Sequence, residues 1–238
     1  FCQRGLWHMW RYDKDDNAEA QRLFHQATDI DVDFAAAYAN LAYCHFLGGV
    51  LAFNDTPRQS ASLAESAAKK AIAIDERDAM AHCALGRALS LMGDHAAAIA
   101  ELRAAVDLNP SFALARYGLG IPLIFEGQAA QAVQELEVAR RLSPHDANMW
   151  VIETINALAH IALGQFDEAE DLSRSAIRRP NTGFWAYATL ASALGNLGRI
   201  SEARSALDKL LELKPDFSRK LFDSVFVNDD PASFAAYF

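Results

Sequence analysis

Residues 85–110 read LGRALSLMGDHAAAIAELRAAVDLNP, and the order of small and large side chains in them decides the fold. Leu85 beside Gly86 sets a large residue next to a small one, Gly93 interrupts, Ala98, Leu102 and Ala105 follow at spacings of four and three, and Pro110 closes the stretch. Such spacings gather side chains on one helix face. A glycine between two helical patterns lets the chain reverse through positive φ. A proline lacks the amide donor and restricts the residue before it, so the second helix ends there. The stretch predicts two helices joined by a tight turn.

The same pattern extends in both directions. One alanine column reads Ala20, Ala64, Ala98, Ala132, Ala169 and Ala203, in steps of 44, 34, 34, 37 and 34 residues. A second column follows seven residues later, two helical turns on: Ala27, Ala71, Ala105, Ala139, Ala176 and Leu210. Between them lie Phe24, Ala68, Leu102, Leu136, Ser173 and Leu207, which completes one stripe on a helix. Upstream, Leu41-Ala42, Leu85-Gly86, Leu119-Gly120 and Leu190-Ala191 mark a partner helix. Gly93, Gly127, Gly164 and Gly198 each stand five residues before the alanine column, and Pro110, Pro144, Pro180 and Pro215 each end a unit. A helix, a glycine turn, a helix and a proline turn in about 34 residues resemble the tetratricopeptide repeat. The resemblance implies an all-α, right-handed superhelical solenoid in a single domain, 1–238. Its six hairpins are drawn at 1–34, 35–78, 79–112, 113–146, 147–183 and 184–217, with a C-terminal cap at 218–238. Alanine recurs because helices approach closely only where a side chain is small.

Departures from the period carry their own expectations. LAFNDTPRQSAS, residues 51–62, supplies loop-forming residues to the second unit, which is ten residues longer than the 34-residue period. The fifth unit holds three extra residues between Trp150 and Gly164, which predicts a first helix nearly a turn longer. Pro122 falls inside the first helix of the fourth unit and is expected to kink it or open one hydrogen bond. The first unit lacks the usual glycine and proline, and Asp15, Asp16 and Asn17 are expected to cap its second helix. Near the C-terminus Leu221, Phe222, Val225, Phe226, Phe234 and Phe238 form a further apolar set, with Asp230 and Pro231 opening a short helix that folds back over the last repeat or joins a partner.

Composition narrows the function. The 238 residues are 52% hydrophobic, enough for a packed core, and no run of about 18 uncharged apolar residues occurs. The first residues lack the basic start and apolar middle of a signal peptide. With 22 Lys+Arg against 31 Asp+Glu, a net charge of -9 repels nucleic acid. Three cysteines, Cys2, Cys44 and Cys83, without a C-x-x-C motif suit a reducing, cytoplasmic setting. The chain opens without Met, which suggests an excerpt from a longer polypeptide.

Chemistry-bearing residues find structural explanations. Asp13, Asp15, Asp16 and Asn17 loosely suggest a calcium loop but lack its central glycine, and capping explains them. Cys44-His45 and His82-Cys83 lie on first helices of neighbouring units, offset by about six residues or about 9 Å along the axis, too far for a tetrahedral metal site. No G-x-S-x-G, H-E-x-x-H or phosphate loop appears, and His145-Asp146 reads as a turn and cap after Pro144. Lys69-Lys70, Arg140-Arg141 and Arg178-Arg179 fall toward the ends of second helices, where cations complement the dipole. No catalytic residue, metal or cofactor is expected. An enzymatic alternative would need a ligand in the groove and a positioned acid or base such as His45 or His82.

In the repeat family the first helices line the concave face. The resemblance therefore implies groove positions at Tyr43, Phe46, Met80, Arg87, Tyr117, Ile121, Phe125 and Trp185. They are mostly apolar or aromatic with one cation, unlike the Lys and Asn clamps of relatives that grip an acidic chaperone tail. Such a groove suits a hydrophobic peptide, a neighbouring domain or a second copy of the chain, while plain packing between hairpins explains these side chains equally well.

A narrower resemblance covers nearly the whole chain. RGLWHMWRYDKDDNAEAQRLFHQA (4–27), AAAYANLAYCHF (35–46) with the loop holding Asp55 and Pro57, RLSPHD (141–146), LLELKPDFS and DPASFAAYF are similar to the C-terminal tetratricopeptide region of bacterial class III adenylate/guanylate cyclases. This implies a regulatory, partner-binding region without cyclase activity, since nothing matches the metal-binding aspartates or nucleotide-binding residues. The alternative is a general adaptor or the sensory half of a winged-helix transcription regulator.

Overall fold

The computed structural model describes residues 1–53, 56–146 and 148–225. Fourteen helices are present among them: α1 Cys2–Met9, α2 Lys14–Ile30, α3 Ala35–Val50, α4 Pro57–Ile74, α5 Ala79–Met92, α6 His95–Leu108, α7 Ala113–Gly118, α8 Gly120–Phe125, α9 Ala129–Leu142, α10 Met149–Ala162, α11 Phe166–Ile177, α12 Phe184–Asn196, α13 Ile200–Leu213 and α14 Arg219–Val225. No strand occurs among the described residues. The described chain is all-α, built of helical hairpins of the tetratricopeptide type in two compact units, residues 1–118 with 223–225 and residues 119–222.

Within each unit consecutive helices pack as antiparallel hairpins through the alanine columns. Ala20, Ala64, Ala98, Ala132 and Ala169 have no exposed surface, and Ala203 is also buried. The second column, Ala27 to Leu210, is buried throughout. Between them Phe24, Ala68, Leu102, Leu136 and Ser173 are buried, while Leu207 on α13 is exposed and leaves the stripe. Gly86 shows why the small member of each pair is needed. A Cβ there would stand 2.7 Å from Leu102 Cγ and 2.9 Å from the Ala98 carbonyl oxygen, so α5 touches the backbone of α6.

Gly93, Gly127, Gly164 and Gly198 all take positive φ one residue before a helix cap, as their spacing predicts. The first hairpin reaches the same turn with Tyr12, at φ 54. Asp13, and not Asp15, Asp16 or Asn17, caps α2: its carboxylate accepts from the amides of Asp15 and Asp16 at 2.9 and 3.2 Å. Asp16 instead holds Arg11 Nε at 2.6 Å and lies 2.7 Å from His8 Nδ1. These contacts hold its carboxyl below the usual range, with His8 the larger cause and Arg11 the next.

Pro122 opens one hydrogen bond: it has no N–H to bond back to the Gly118 carbonyl, and the helical hydrogen bonding lapses at Leu119 between α7 and α8 although Leu119 keeps helical dihedrals, φ -64 and ψ -22. Two further expectations change in detail. The extra length of the fifth unit does not extend α10, whose 14 residues equal those of α5, and the surplus falls instead in the connections on either side of it. In the long second unit only residues 51–56 lie between the helices. Thr56 accepts from Gln59 N at 3.2 Å and Pro57 occupies the first turn of α4, so the rest of the insertion is helix. At the C-terminus α14 covers part of the expected cap, and Phe226, Asp230, Pro231, Phe234 and Phe238 lie outside the described residues.

Candidate partner-binding site

First helices carry the expected groove residues, and the first unit gathers four of them. Tyr43 on α3, Arg87 on α5 and Tyr117 on α7 are buried, with Phe46 one turn along α3 from Tyr43. The Arg87 guanidinium carbon lies 4.4 Å from the centre of the Phe46 ring and 4.9 Å from that of Tyr117, so both rings present their electron-rich faces to the cation. Tyr43 and Phe46 rings are 5.7 Å apart. The Tyr43 hydroxyl shares one hydrogen bond with Tyr117 at 3.3 Å and another with Tyr12 at 3.3 Å, making a row of three hydroxyls. Trp10, 42% exposed, packs its ring 5.8 Å from Tyr43 at the margin of the cluster.

Burial sets the electrostatics. It pushes the Tyr12, Tyr43 and Tyr117 hydroxyls well above the ordinary tyrosine range, so all three are neutral donors at physiological pH. Burial also pushes the Cys83 thiol up to about 12, leaving it a neutral thiol beside the arginine. Cys44 is shifted the same way, and His45 is lowered to about 4 by burial and then by the charge of His25, whose ring centre is 6.4 Å away. His82 differs: burial opposes its charge, but the Glu101 carboxylate at 2.7 Å and the Glu76 carbonyl at 3.0 Å outweigh that and raise it. Among the described residues no group of three or more His, Cys, Asp or Glu is placed to hold a metal.

The other expected positions separate from this cluster. Met80 packs with Ile72, Ile74, Tyr38 and Ala81 in a core where α4 and α5 meet α3. Ile121 and Phe125 lie half-buried on α8 of the second unit. Trp185, 8% exposed, has ring neighbours Phe184 at 4.7 Å, Phe217 at 5.8 Å and Phe222 at 6.1 Å, so the start of α14 covers it. Trp10 and Tyr12 belong to the cluster although the helix pattern does not place them there. Tyr12 occupies the slot that glycine fills in later turns, and an aromatic residue at a glycine position is the signal that marks it.

The basic pairs have individual partners as well as helix ends. Arg140 and Arg141 stand in the last turn of α9, while Lys69 reaches Glu65 at 2.6 Å and Lys70 lies 4.2 Å over the Tyr38 ring. Arg179 donates at 2.6 Å to Glu153, a carboxylate buried on α10 that also accepts from Ser175 Oγ at 3.0 Å. Asp146 accepts from the Asn148 amide at 2.8 Å, which makes His145-Asp146 a turn. No described helix is long and apolar enough to cross a membrane.

Comparison with known proteins agrees with this geometry. Residues 89–152 and 186–217 match two tetratricopeptide-repeat family models. No curated protein sequence matches the chain. Among solved structures it is similar to TTC0263, a thermophilic TPR protein of Thermus thermophilus, with TM-score 0.60, 22% identity, 69% of this chain and 88% of that one. It is also similar to the APC/C hetero-tetramer Cut9–Hcn1, with TM-score 0.72 and 16% identity over 89% of this chain and 39% of that one. A third likeness is YrrB, described as a TPR protein with an unusual peptide-binding site, with TM-score 0.50, 19% identity, 83% of this chain and 94% of that one. At these identities the likeness bears on the fold alone. Helical hairpins, glycine turns in the left-handed region and the two matched stretches agree on one fold, with tetratricopeptide repeats recognised at residues 89–152 and 186–217.

Proposed function

We propose that the chain is a noncatalytic interaction module whose first unit holds a protein or peptide partner. The observation that carries this reading is the cluster of Tyr43, Phe46, Arg87 and Tyr117 with the exposed Trp10 ring at its edge. Tyrosine, tryptophan and arginine are the side chains that dominate binding energy at protein interfaces. The description of YrrB as peptide-binding supports a peptide as the partner class. A purified chain overlaid on an array of short peptides tests this. Selective binding that falls when Trp10 is replaced by Ala is expected, and an array on which nothing binds overturns it.

The finer assignment is the regulatory region of a bacterial adenylate/guanylate cyclase in the cytoplasm, its partner another domain of the same polypeptide or a second copy. Support comes from the segment resemblance across residues 4–27, 35–46 and 141–146, and three free cysteines suit that compartment. Deleting the region from the full-length protein should change cyclic-nucleotide synthesis or oligomeric state. No change in either discards the cyclase assignment.

A further inference from the structure

We propose that the first unit contains a site for the side-chain carboxylate of a glutamate in a peptide partner, formed by the Arg87 guanidinium and the row of tyrosine hydroxyls. The inference rests on the reading of this unit as a partner-binding face and names the chemistry recognised there.

Donors outnumber acceptors in the cluster. Arg87 is 8% exposed, with rings over its faces, and ring stacking leaves the N–H edge of the guanidinium unused. Its Nε is fully enclosed and has no hydrogen-bond partner. Among the described residues Arg87 makes no ion pair and no hydrogen bond, although the chain carries 31 Asp and Glu. The hydroxyl row adds to the surplus. Tyr12, Tyr43 and Tyr117 have one proton each and share only two hydrogen bonds, so one end of the row has a proton without an acceptor among the described residues. Buried charges are normally paired, because an unpaired one is expensive. An acceptor brought by a ligand completes the set.

The backbone around the cluster keeps other side chains off the cation and brings the hydroxyls to it. Gly118 stands beside the cation: a Cβ on it would lie 3.1 Å from Arg87 Cδ and 3.4 Å from one terminal nitrogen. Tyr12 holds a backbone conformation that an L side chain adopts unwillingly, at a turn where later repeats use glycine, and its hydroxyl joins the row.

The chemistry of the donors selects the ligand. One cation and neutral hydroxyls balance one negative charge, which matches a carboxylate; a phosphate dianion calls for a second cation. The narrow exposure of Arg87 favours a carboxylate on a short flexible stem, reaching in while the peptide backbone stays outside. A chain terminus would have to thread the backbone itself. The exposed Trp10 ring next to Tyr43 offers an apolar seat for a neighbouring residue of the peptide.

The test uses the full chain and three probes: acetyl-Leu-Glu-Leu-amide, its Gln counterpart, and acetyl-Leu-Gln-Leu with a free C-terminal carboxylate. Binding is read by titration calorimetry and by the rise in unfolding temperature at matched ionic strength. The Glu peptide should bind and raise the unfolding temperature, with the other two weaker by roughly tenfold or more. Arg87→Met should unfold at the same or a higher temperature without peptide, since an unpaired buried charge is removed, and should lose the Glu-dependent rise. Should that variant fold poorly, Tyr117→Phe keeps the ring, loses the hydroxyl and should weaken the Glu peptide several-fold. Equal binding of Glu and Gln peptides, a preference for the free C-terminus, no binding of the Glu peptide, or a Glu effect that survives both substitutions each overturns the inference. Peptides that bind the array without regard to Glu would sink this inference and leave the interaction module standing.

Discussion

On α10 of the second unit Glu153, 4% exposed, accepts from Arg179 and Ser175; on α5 of the first unit Arg87, 8% exposed, has rings on its faces and no acceptor among the described residues. Glu170 follows the second unit's habit, accepting from Arg174 at 2.7 Å and from Arg199. His45 follows the first unit's, buried on α3 and held neutral. One unit therefore closes its buried ionisable groups within its own packing, and the other leaves some unclosed. A closed pair is a sufficient structural reason for a charge, whereas an unclosed one asks for a ligand or costs stability.

The largest effect expected from this contrast is acid sensitivity of the first unit. His45 is about 4 in the folded protein against about 6.5 in the unfolded chain, so the unfolded state takes up the proton first. The neutral ring's contribution is complete above about pH 6.5 and is lost as pH falls toward about 4, amounting to about 3 kcal/mol. His82 runs the other way. With its folded value raised, its contribution is complete below the unfolded value and fades as pH rises through the folded one. Denaturant unfolding at neutral pH and near pH 4 should show the His45 loss, and His45→Leu should flatten it. An unchanged pH slope in that variant would break the contrast.

Next in size is the closed pair. Arg179→Ala leaves Glu153 with Ser175 as its remaining hydrogen-bond donor among the described residues and should cost about 2 kcal/mol in denaturant unfolding, reduced from a fully buried pair because Arg179 itself is 43% exposed. Arg87→Met, by comparison, should cost nothing. Equal losses from the two would erase the distinction between the units.

The smallest effect separates two equivalent turns. Gly164 has φ 72 and open space where a Cβ would stand, so Gly164→Ala should lose about 1 kcal/mol from backbone strain alone. Tyr12→Gly relieves strain at the matching turn while deleting a hydroxyl from the row. Its stability should fall less than removal of a buried ring implies, as thermal unfolding would show.

The repeat architecture is legible in the sequence because its determinants are local and periodic: the alanine columns, the glycine turns and the closing prolines each act within one hairpin. Position along a first helix also points to Tyr43, Phe46, Arg87 and Tyr117. The same rule enlists Met80, which packs against Tyr38, Ile72 and Ile74 of the preceding hairpin, and Trp185, which Phe217 and Phe222 cover, because position on a helix does not say which neighbour covers a side chain. Tyr12 escapes such a reading since its role follows from a turn conformation and a hydroxyl 31 residues away. The length of α10 escapes it for a related reason: an insertion counted between two landmarks can settle in either the helix or the connecting segment.

The hydroxyl row from Tyr12 through Tyr43 to Tyr117 has a direction as well as a shape, because either oxygen in each bond can be the donor. All three protons can point toward Tyr117 or all three toward Tyr12, and two equally sound orders exist until something outside breaks the tie. On the carboxylate site proposed above, a negative group beside Arg87 would draw the Tyr117 proton toward itself and turn Tyr43 and Tyr12 in step. Occupancy would then be registered at the turn that holds Tyr12 through hydroxyl rotation alone.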